Sequence, residues 1–289
     1  MELLPSSAPQ CSERHIRSLI QLLSDSDPRI AKTIHTRLVE VGMPALSYLT
    51  QAQSSGTELA ERITEVINEI RHHSIAARFQ QLNASIPTSI DLEAGAFLIA
   101  EMAYPGLDIG GYQNQLKEMS AALIPRLTGT MSISEKIQAM NHYLFQEQGF
   151  KGNAGDYYDP DNTFLNRVLD RRCGIPISLS VVYLLLGQRL GLPVRGVGMP
   201  GHFLVGLNTE EWFIDCFNEG TLLSRVECSR ILHESGHGFE LRYLDTSSNQ
   251  QILIRMLRNL VTIYHTRDEP NQAHRFQQVI EILEEFITT

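Results

Sequence analysis

The feature that most constrains the fold of this chain is an apolar run at residues 176–190. Five apolar residues recur at helical spacing along one face: Leu179, Val182, Tyr183, Leu186 and Leu190. Three more lie on the other faces: Val181, Leu184 and Leu185. A helix that is apolar nearly all round is a buried helix. Because Pro176 suits a first helical turn and Gly191 and Pro193 favour a stop, the sequence predicts a rigid central helix.

A β-hairpin is predicted directly after this helix. Residues 202–207 and 212–217 are rich in the β-branched and aromatic residues that favour strands. Residues 208–211 are polar and predict the turn between them.

The hairpin register determines which side chains meet. We expect Leu207 to pair with Trp212 across a four-residue loop. In that register Leu204 faces Asp215, and His202 lies two residues further along on the same face, within side-chain reach. A slip of one residue would put the two groups on opposite faces. The sequence therefore predicts an imidazole on the first strand beside a carboxylate on the second.

A histidine oriented by an aspartate needs a nucleophile to form a catalytic triad. Cys173 precedes the helix, and a helix N-terminus and the two arginines before it favour a thiolate. One hypothesis is a Cys173–His202–Asp215 triad. The other is that His202 and Asp215 only stabilise the hairpin and that Cys173 is a thiol without a catalytic role.

A series of short motifs extends this pattern along the chain. In order, they are YP at 104–105, LD at 107–108, GF.GN at 149–153, YYDP.N at 157–162, LNRVLDRR at 165–172, GIPISLS at 174–180, RLGLPV.GVG.PGHFLV at 189–205 and IDCFN.G at 214–220. Together they resemble the bacterial SirB-type family, which is described as transglutaminase-like with TPR repeats. The order Cys, His, Asp likewise resembles the transglutaminase-like superfamily, which includes papain-type cysteine hydrolases.

The resemblance implies an α+β fold, mainly helical, with a small antiparallel sheet. In active transglutaminase-like proteins the cysteine opens the helix itself, whereas here the opening positions are Pro176, Ile177 and Ser178 and Cys173 lies about one turn upstream. Ser178 is a weaker substitute, because a hydroxyl needs stronger base activation than a thiol. We therefore favour a non-catalytic interaction or regulatory protein that binds a peptide or protein. The alternative is a cysteine-dependent amide hydrolase or acyltransferase.

A loop rich in glycine and tyrosine precedes the helix, and long loops in compact domains are often functional. Tyr157 and Tyr158 either line a cleft beside the predicted site or hold the loop against the core. With Asn162 and Ser178, they are our predicted binding residues.

Helical segments flank the central region. Residues 1–82 contain the run LLSDSDPRIAKTIHTRLVEVG, which looks like a HEAT-type repeat, although a plain helical bundle explains it nearly as well. Residues 91–245 are the predicted transglutaminase-like domain. Residues 247–289 predict two helices in a TPR-like pair, which needs a neighbour to cover its apolar face.

Composition excludes several classes of function. The 289 residues carry a formal net charge of −9, which argues against nucleic acid and anionic membranes as general partners. No apolar run approaches the about 20 residues of a membrane span, and the N-terminus lacks the features of a signal peptide. The four cysteines form no paired motif and predict reduced thiols in a cytoplasmic protein.

No cofactor or metal is predicted. The chain has no glycine-rich phosphate loop, no dinucleotide fingerprint and no Cys-x-x-Cys pattern. His233 and His237 have a spacing that suits metal ligands on a helix, but the glycines around His237 disfavour a helix there.

Overall fold

The structure is a computed structural model that describes residues 12–53, 57–84, 90–207 and 212–285. It divides into two compact units, Met1–Arg78 and Phe79–Thr289. The second unit contains the C-terminal helical pair together with the central region. The HEAT-like and TPR-like assignments and the three predicted ranges stay predictions.

Helices form the first unit. They are α1 (Glu13–Leu22), α2 (Pro28–Val41), α3 (Met43–Ala52) and α4 (Thr57–Ala84), which extends past residue 78. Asp27 caps α2 by accepting a hydrogen bond from the Arg29 backbone N–H at 2.9 Å, as the Asp-Pro sequence predicts. Gly42 ends α2 with a positive φ of 70°.

Eight helices of the second unit have these bounds: α5 (Leu92–Ala103), α6 (Ile109–Leu123), α7 (Ile133–Asn141), α8 (Leu165–Arg171), α9 (Pro176–Arg189), α10 (Arg225–Glu234), α11 (Asn249–Thr266) and α12 (Pro270–Glu284). Side chains of Asp91, Ser132 and Ser224 cap α5, α7 and α10. Helix α6 ends at Leu123, and the chain continues as a 3-10 turn. Pro125 in that turn cannot donate the hydrogen bond that would continue an α-helix.

The described residues of this unit also form seven short strands: β1 (Lys151–Gly152), β2 (Cys173–Gly174), β3 (Val194–Val197), β4 (Leu204–Leu207), β5 (Trp212–Asp215), β6 (Thr221–Ser224) and β7 (Thr246–Ser247). β1 and β2 form a parallel pair. The other five form an antiparallel sheet in the order β6-β5-β4-β3-β7. The predicted fold class, mainly helical with a small antiparallel sheet, is confirmed.

The register of the β4–β5 hairpin is also confirmed. Val205 pairs with Ile214, and Gly206 pairs with Phe213. The same register sets residue 207 opposite 212 and residue 204 opposite 215. The predicted turn at 208–211 lies outside the described residues.

The strand bounds need a correction, because His202 lies two residues before β4 and not on it. The backbone turns immediately before it. Gly201 has a φ of 72°, and the His202 N–H donates to the Met199 carbonyl at 3.2 Å. This turn presents the imidazole from a loop at the end of the hairpin.

Helix α9 is buried on all sides from Pro176 to Gly187, which confirms the prediction of a buried central helix. It packs against α5, α6, α8 and α11 and against β3 and β4. Pro176 lies in its first turn, as predicted. Within the described ranges, no helix is both long enough and apolar enough to span a bilayer.

Candidate functional site

The predicted imidazole and carboxylate meet at the end of the hairpin. His202 Nε2 lies 2.9 Å from Asp215 Oδ2, and the two side chains are only 14% and 3% exposed. The two atoms are close enough for an ion pair when the imidazole is protonated, although the contact lacks the geometry of a standard hydrogen bond. A one-residue slip in register would have separated these groups, so the strand pairing positions them.

Asp215 is held from the turn that follows β5. Its Oδ1 accepts hydrogen bonds from the backbone N–H groups of Phe217 at 3.1 Å and Asn218 at 3.2 Å. Its Oδ2 accepts one from the Asn218 side-chain amide at 2.7 Å. Burial raises the pKa of Asp215, but the contacts with His202 and Asn218 outweigh it and hold the pKa below its usual value. The carboxylate is therefore ionised at neutral pH.

A cavity of about 210 Å³ opens beside His202. It is several times larger than the roughly 30 Å³ that one water molecule occupies in the liquid. The loop before α8, the first turn of α9, the β3–β4 turn and α11 all contribute to its wall: Tyr157, Pro176, Ile177, Gly201, His202, Phe203, Arg255 and Asn259. Groups far apart in the sequence thus share one small concave surface.

The predicted nucleophile does not line this cavity. Cys173 is half-buried in β2, where it pairs with Lys151 of β1. Pro176 lines the cavity at the first position of α9. The structure therefore brings His202 and Asp215 together, and the residue at the helix start that shares the cavity with His202 is a proline.

Ser178 and Asn162 lie behind the cavity wall, fully buried. The Ser178 hydroxyl donates to the Asn162 carbonyl at 2.5 Å and accepts from the Ile175 N–H at 3.1 Å. The Asn162 amide donates to the carbonyls of Asp156 at 2.6 Å and Tyr157 at 3.3 Å. These bonds tie the tyrosine loop to the start of α9, so both side chains position the wall of the cavity.

The two predicted tyrosines have different environments. Tyr157 lines the cavity, and its ring centroid lies 6.2 Å from that of Phe217, which packs edge-on against His202 at 6.5 Å. Tyr158 is 58% exposed and packs edge-on against Tyr157 at 5.5 Å. Of the two residues, only Tyr157 lines the cavity.

Two cavity residues on α11 were missed by the sequence analysis. Arg255 Nη2 donates to the carbonyls of Met199 and His202, each at 2.7 Å, and Asn259 lies one turn further on. The available signal was the position of Arg255 within the buried run Ile252–Leu257. A single charged residue inside such a run indicates a buried polar role.

No three histidine, cysteine, aspartate or glutamate side chains within the described ranges are arranged as metal ligands. His233 lies in the last turn of α10, and His237 lies beyond the end of that helix.

The chain is similar in sequence to several known proteins. The model of a family described as the transglutaminase-like superfamily matches residues 111–258, a segment that includes the hairpin, α9 and Arg255. A UPF0162 protein of Xylella fastidiosa is 36% identical over 195 residues, which cover 65% of this chain and 69% of that protein. A UPF0162 protein of Pseudomonas aeruginosa is 31% identical over 194 residues, or 66% of this chain and 71% of the relative.

A eukaryotic protein shares a shorter segment. Human F-box only protein 21 is 34% identical over 140 residues, which cover 45% of this chain and 22% of that protein. No solved structure matches the chain. The SirB-type assignment stays a prediction.

Proposed function

Because the chain belongs to the transglutaminase-like superfamily, we propose that it is a non-catalytic binding protein, which holds a segment of a peptide or protein partner in the cavity beside His202. One observation carries this proposal. Pro176 occupies the start of α9 in the cavity wall, where active members of the superfamily resembled here have their cysteine.

The chemistry of the cavity supports binding over covalent catalysis. His202 and Asp215 provide a base and a group that orients it, 2.9 Å apart. Covalent catalysis also needs a nucleophile within hydrogen-bond reach of the base. Pro176 has no such atom, and the Ser178 hydroxyl is committed to backbone groups of Asn162 and Ile175.

Cysteine alkylation followed by mass spectrometry tests this proposal in the full chain and in His202→Ala. We expect the alkylation rate of Cys173 to be the same in both proteins, since the thiol does not line the His202 cavity. Cys216 and Cys228 serve as slow internal references, because burial raises the pKa of both thiols, that of Cys228 to about 12.

The alternative is a cysteine-dependent amide hydrolase or acyltransferase. The contact between His202 and Asp215 favours it, because this pair has the arrangement of a triad's base and orienting acid. It requires the Cys173 sulfur to reach His202 when substrate is bound. A large loss of Cys173 alkylation in His202→Ala would support this alternative and overturn the binding proposal.

A further inference from the structure

The cavity contains a guanidinium without a counter-charge. Arg255 is half-buried, and its Nη2 donates to the carbonyls of Met199 and His202. A guanidinium has five N–H donors, and the hydrogen bonds to these two carbonyls use only Nη2. Within the part of the chain that the structure describes, Arg255 forms no ion pair with a carboxylate.

An uncompensated cation in this position is unusual, since removing a charge from water is unfavourable unless it is paired. The two carbonyl groups and the Phe203 ring, whose centroid lies 5.5 Å from the guanidinium carbon, orient the cation but supply no negative charge. Gly198 makes room for it, because a Cβ at this position would lie 3.1 Å from Arg255 Nη1. A side chain at Gly198 would therefore crowd the guanidinium and also the Ser247 hydroxyl, which lies 3.0 Å from that Cβ.

Other unpaired polar groups face the same cavity. Asn259 lies four residues after Arg255 on α11 and therefore on the same helical face. Neither the Asn259 amide nor the Tyr157 hydroxyl has a hydrogen-bond partner among the described residues. The first turn of α9 also borders the cavity at Ile177, and its N-cap, Ile175, has no side chain that can cap. A helix N-terminus favours negative charge.

We propose that this cavity binds a carboxylate of the partner peptide, with Arg255 as its counter-ion and with Asn259 and Tyr157 as hydrogen-bond donors. This proposal rests on the proposed binding function and specifies the ligand group. One guanidinium matches the single charge of a carboxylate, and hydrogen bonds between ionised groups are the stronger kind. The carboxylate could belong to a chain terminus or to an aspartate or glutamate side chain.

Three mixtures of N-acetylated short peptides test the ligand class on the full chain. The first has free C-termini and no acidic side chains, the second has amidated C-termini and aspartate or glutamate, and the third is amidated without acidic residues. Retention on the immobilised protein is measured by mass spectrometry. We expect the first or the second mixture to be retained over the third, and whichever is retained identifies the source of the carboxylate.

The other outcomes separate the two proposals. Equal retention of the third mixture would overturn carboxylate recognition and leave the binding function standing. Retention of none of the mixtures would overturn both. These results come from the wild-type chain, so they do not depend on whether any variant folds.

Asn259→Asp tests the role of Arg255 without removing its hydrogen bonds to Met199 and His202. The new carboxylate supplies the missing counter-charge from within the chain. Without peptide, we expect the variant to melt at a higher temperature than the wild type. We also expect it to retain the carboxylate peptides about tenfold less, because the loss of one charge-assisted hydrogen bond weakens binding by about that factor. Unchanged retention would overturn the proposal.

Arg258→Gln is the matched control. Arg258 is exposed on the same helix, pairs with Glu284 at 2.7 Å and does not line the cavity. Its substitution removes a positive charge from α11, and we expect peptide retention to stay at the wild-type level. An equal loss in Arg258→Gln would show that net charge, and not the cavity, governs binding, and would overturn the proposal.

Discussion

The hairpin side and the helix side of the cavity differ in the chemistry that they present. On the hairpin side, Asp215 accepts three hydrogen bonds and contacts His202. On the helix side, Pro176 and Ile177 contribute carbon atoms, and the Ser178 hydroxyl is buried behind them. A base and its orienting acid therefore face a wall in which no described side chain is a nucleophile.

The His–Asp pair has a structural role that does not depend on catalysis. Asp215 also fixes the turn after β5, since it accepts from the N–H groups of Phe217 and Asn218. Phe217 in turn packs against His202 and Tyr157. The pair thus stabilises one side of the cavity whether or not a reaction occurs there.

Of the substitutions considered for the two sides of the cavity, removal of the Asp215 carboxylate from the hairpin side is expected to lower stability the most. Asp215→Ala leaves two backbone N–H groups, the Asn218 amide and His202 without their partner. We expect the free energy of unfolding to fall by about 3–5 kcal/mol, because several buried polar groups lose their partner at a cost of about 1–3 kcal/mol each. Urea unfolding measures this change.

Asp215→Asn is the matched control for that experiment. The amide keeps an oxygen acceptor for the turn but loses the charge beside His202. We expect a clearly smaller loss of stability than in Asp215→Ala. Equal losses would contradict the conclusion that Asp215 stabilises the turn through its hydrogen bonds.

Asn162→Ala breaks the connection between the tyrosine loop and the helix side. The variant loses the amide hydrogen bonds to the carbonyls of Asp156 and Tyr157. We expect a loss of about 1–3 kcal/mol in urea unfolding, the usual cost of unsatisfied buried groups. The loop should also become more sensitive to limited proteolysis.

Tyr158→Phe is the control for Asn162→Ala in the same loop. Tyr158 is 58% exposed, so the loss of its hydroxyl should not affect the buried anchor. We expect its effect on the free energy of unfolding to stay within about 0.5 kcal/mol, as is usual for surface substitutions. If both variants changed stability and proteolysis equally, Asn162 would not be the residue that anchors the loop.

Pro176→Cys places a thiol at the start of α9, in the part of the cavity wall that has no nucleophilic side chain in the wild type. A thiol at a helix N-terminus beside an imidazole ionises more readily than a free one. At mildly acidic pH we expect this thiol to be alkylated about tenfold faster than in Pro176→Cys/His202→Ala, which corresponds to one pKa unit or about 1.4 kcal/mol. Mass spectrometry of the labelled peptides gives both rates.

Val226→Cys is the reference thiol for that measurement, since Val226 is 78% exposed on α10, away from the cavity wall. Its alkylation should be unaffected by His202→Ala. If His202→Ala also left the alkylation rate of the thiol at position 176 unchanged, His202 would not act as a base toward a group at the start of α9.

The pH dependence of stability is expected to show the smallest effect, because burial opposes the hydrogen bonds that lower the pKa of Asp215. A group with a depressed folded pKa stabilises the protein above its unfolded pKa, which is about 3.9 for aspartate. The stability advantage of wild type over Asp215→Asn should therefore be lost as the pH falls from about 3.9 through the folded pKa. Urea unfolding across this range measures it, and a constant advantage would contradict the lowered pKa.

Local patterns in the sequence were enough to predict several of these elements. The buried helix α9 was predicted because apolar residues cover nearly every face of a helix between Pro176 and Gly191. The meeting of His202 and Asp215 was predicted because side chains on a strand alternate with a period of two. Both rules act over a few residues.

Other features depend on neighbours that are distant in the sequence. The strands β3, β6 and β7 were not predicted, since each is short and pairs only because its partner lies beside it. The six-residue π-helical turn at His142–Glu147 had no sequence signal that we used. Ser178 could not be assigned from sequence, because its hydroxyl binds the carbonyl of Asn162, which reaches it only through folding.

The sequence by itself determined the buried helix α9, the hairpin register and the presence of a proline at the helix start. Each follows from local steric and periodic rules. Only the tertiary structure decided that Arg255 and Asn259 complete the cavity, because α11 reaches His202 by packing against α5 and α9. A charge inside an apolar helix can be recognised in a sequence, but packing determines what it faces.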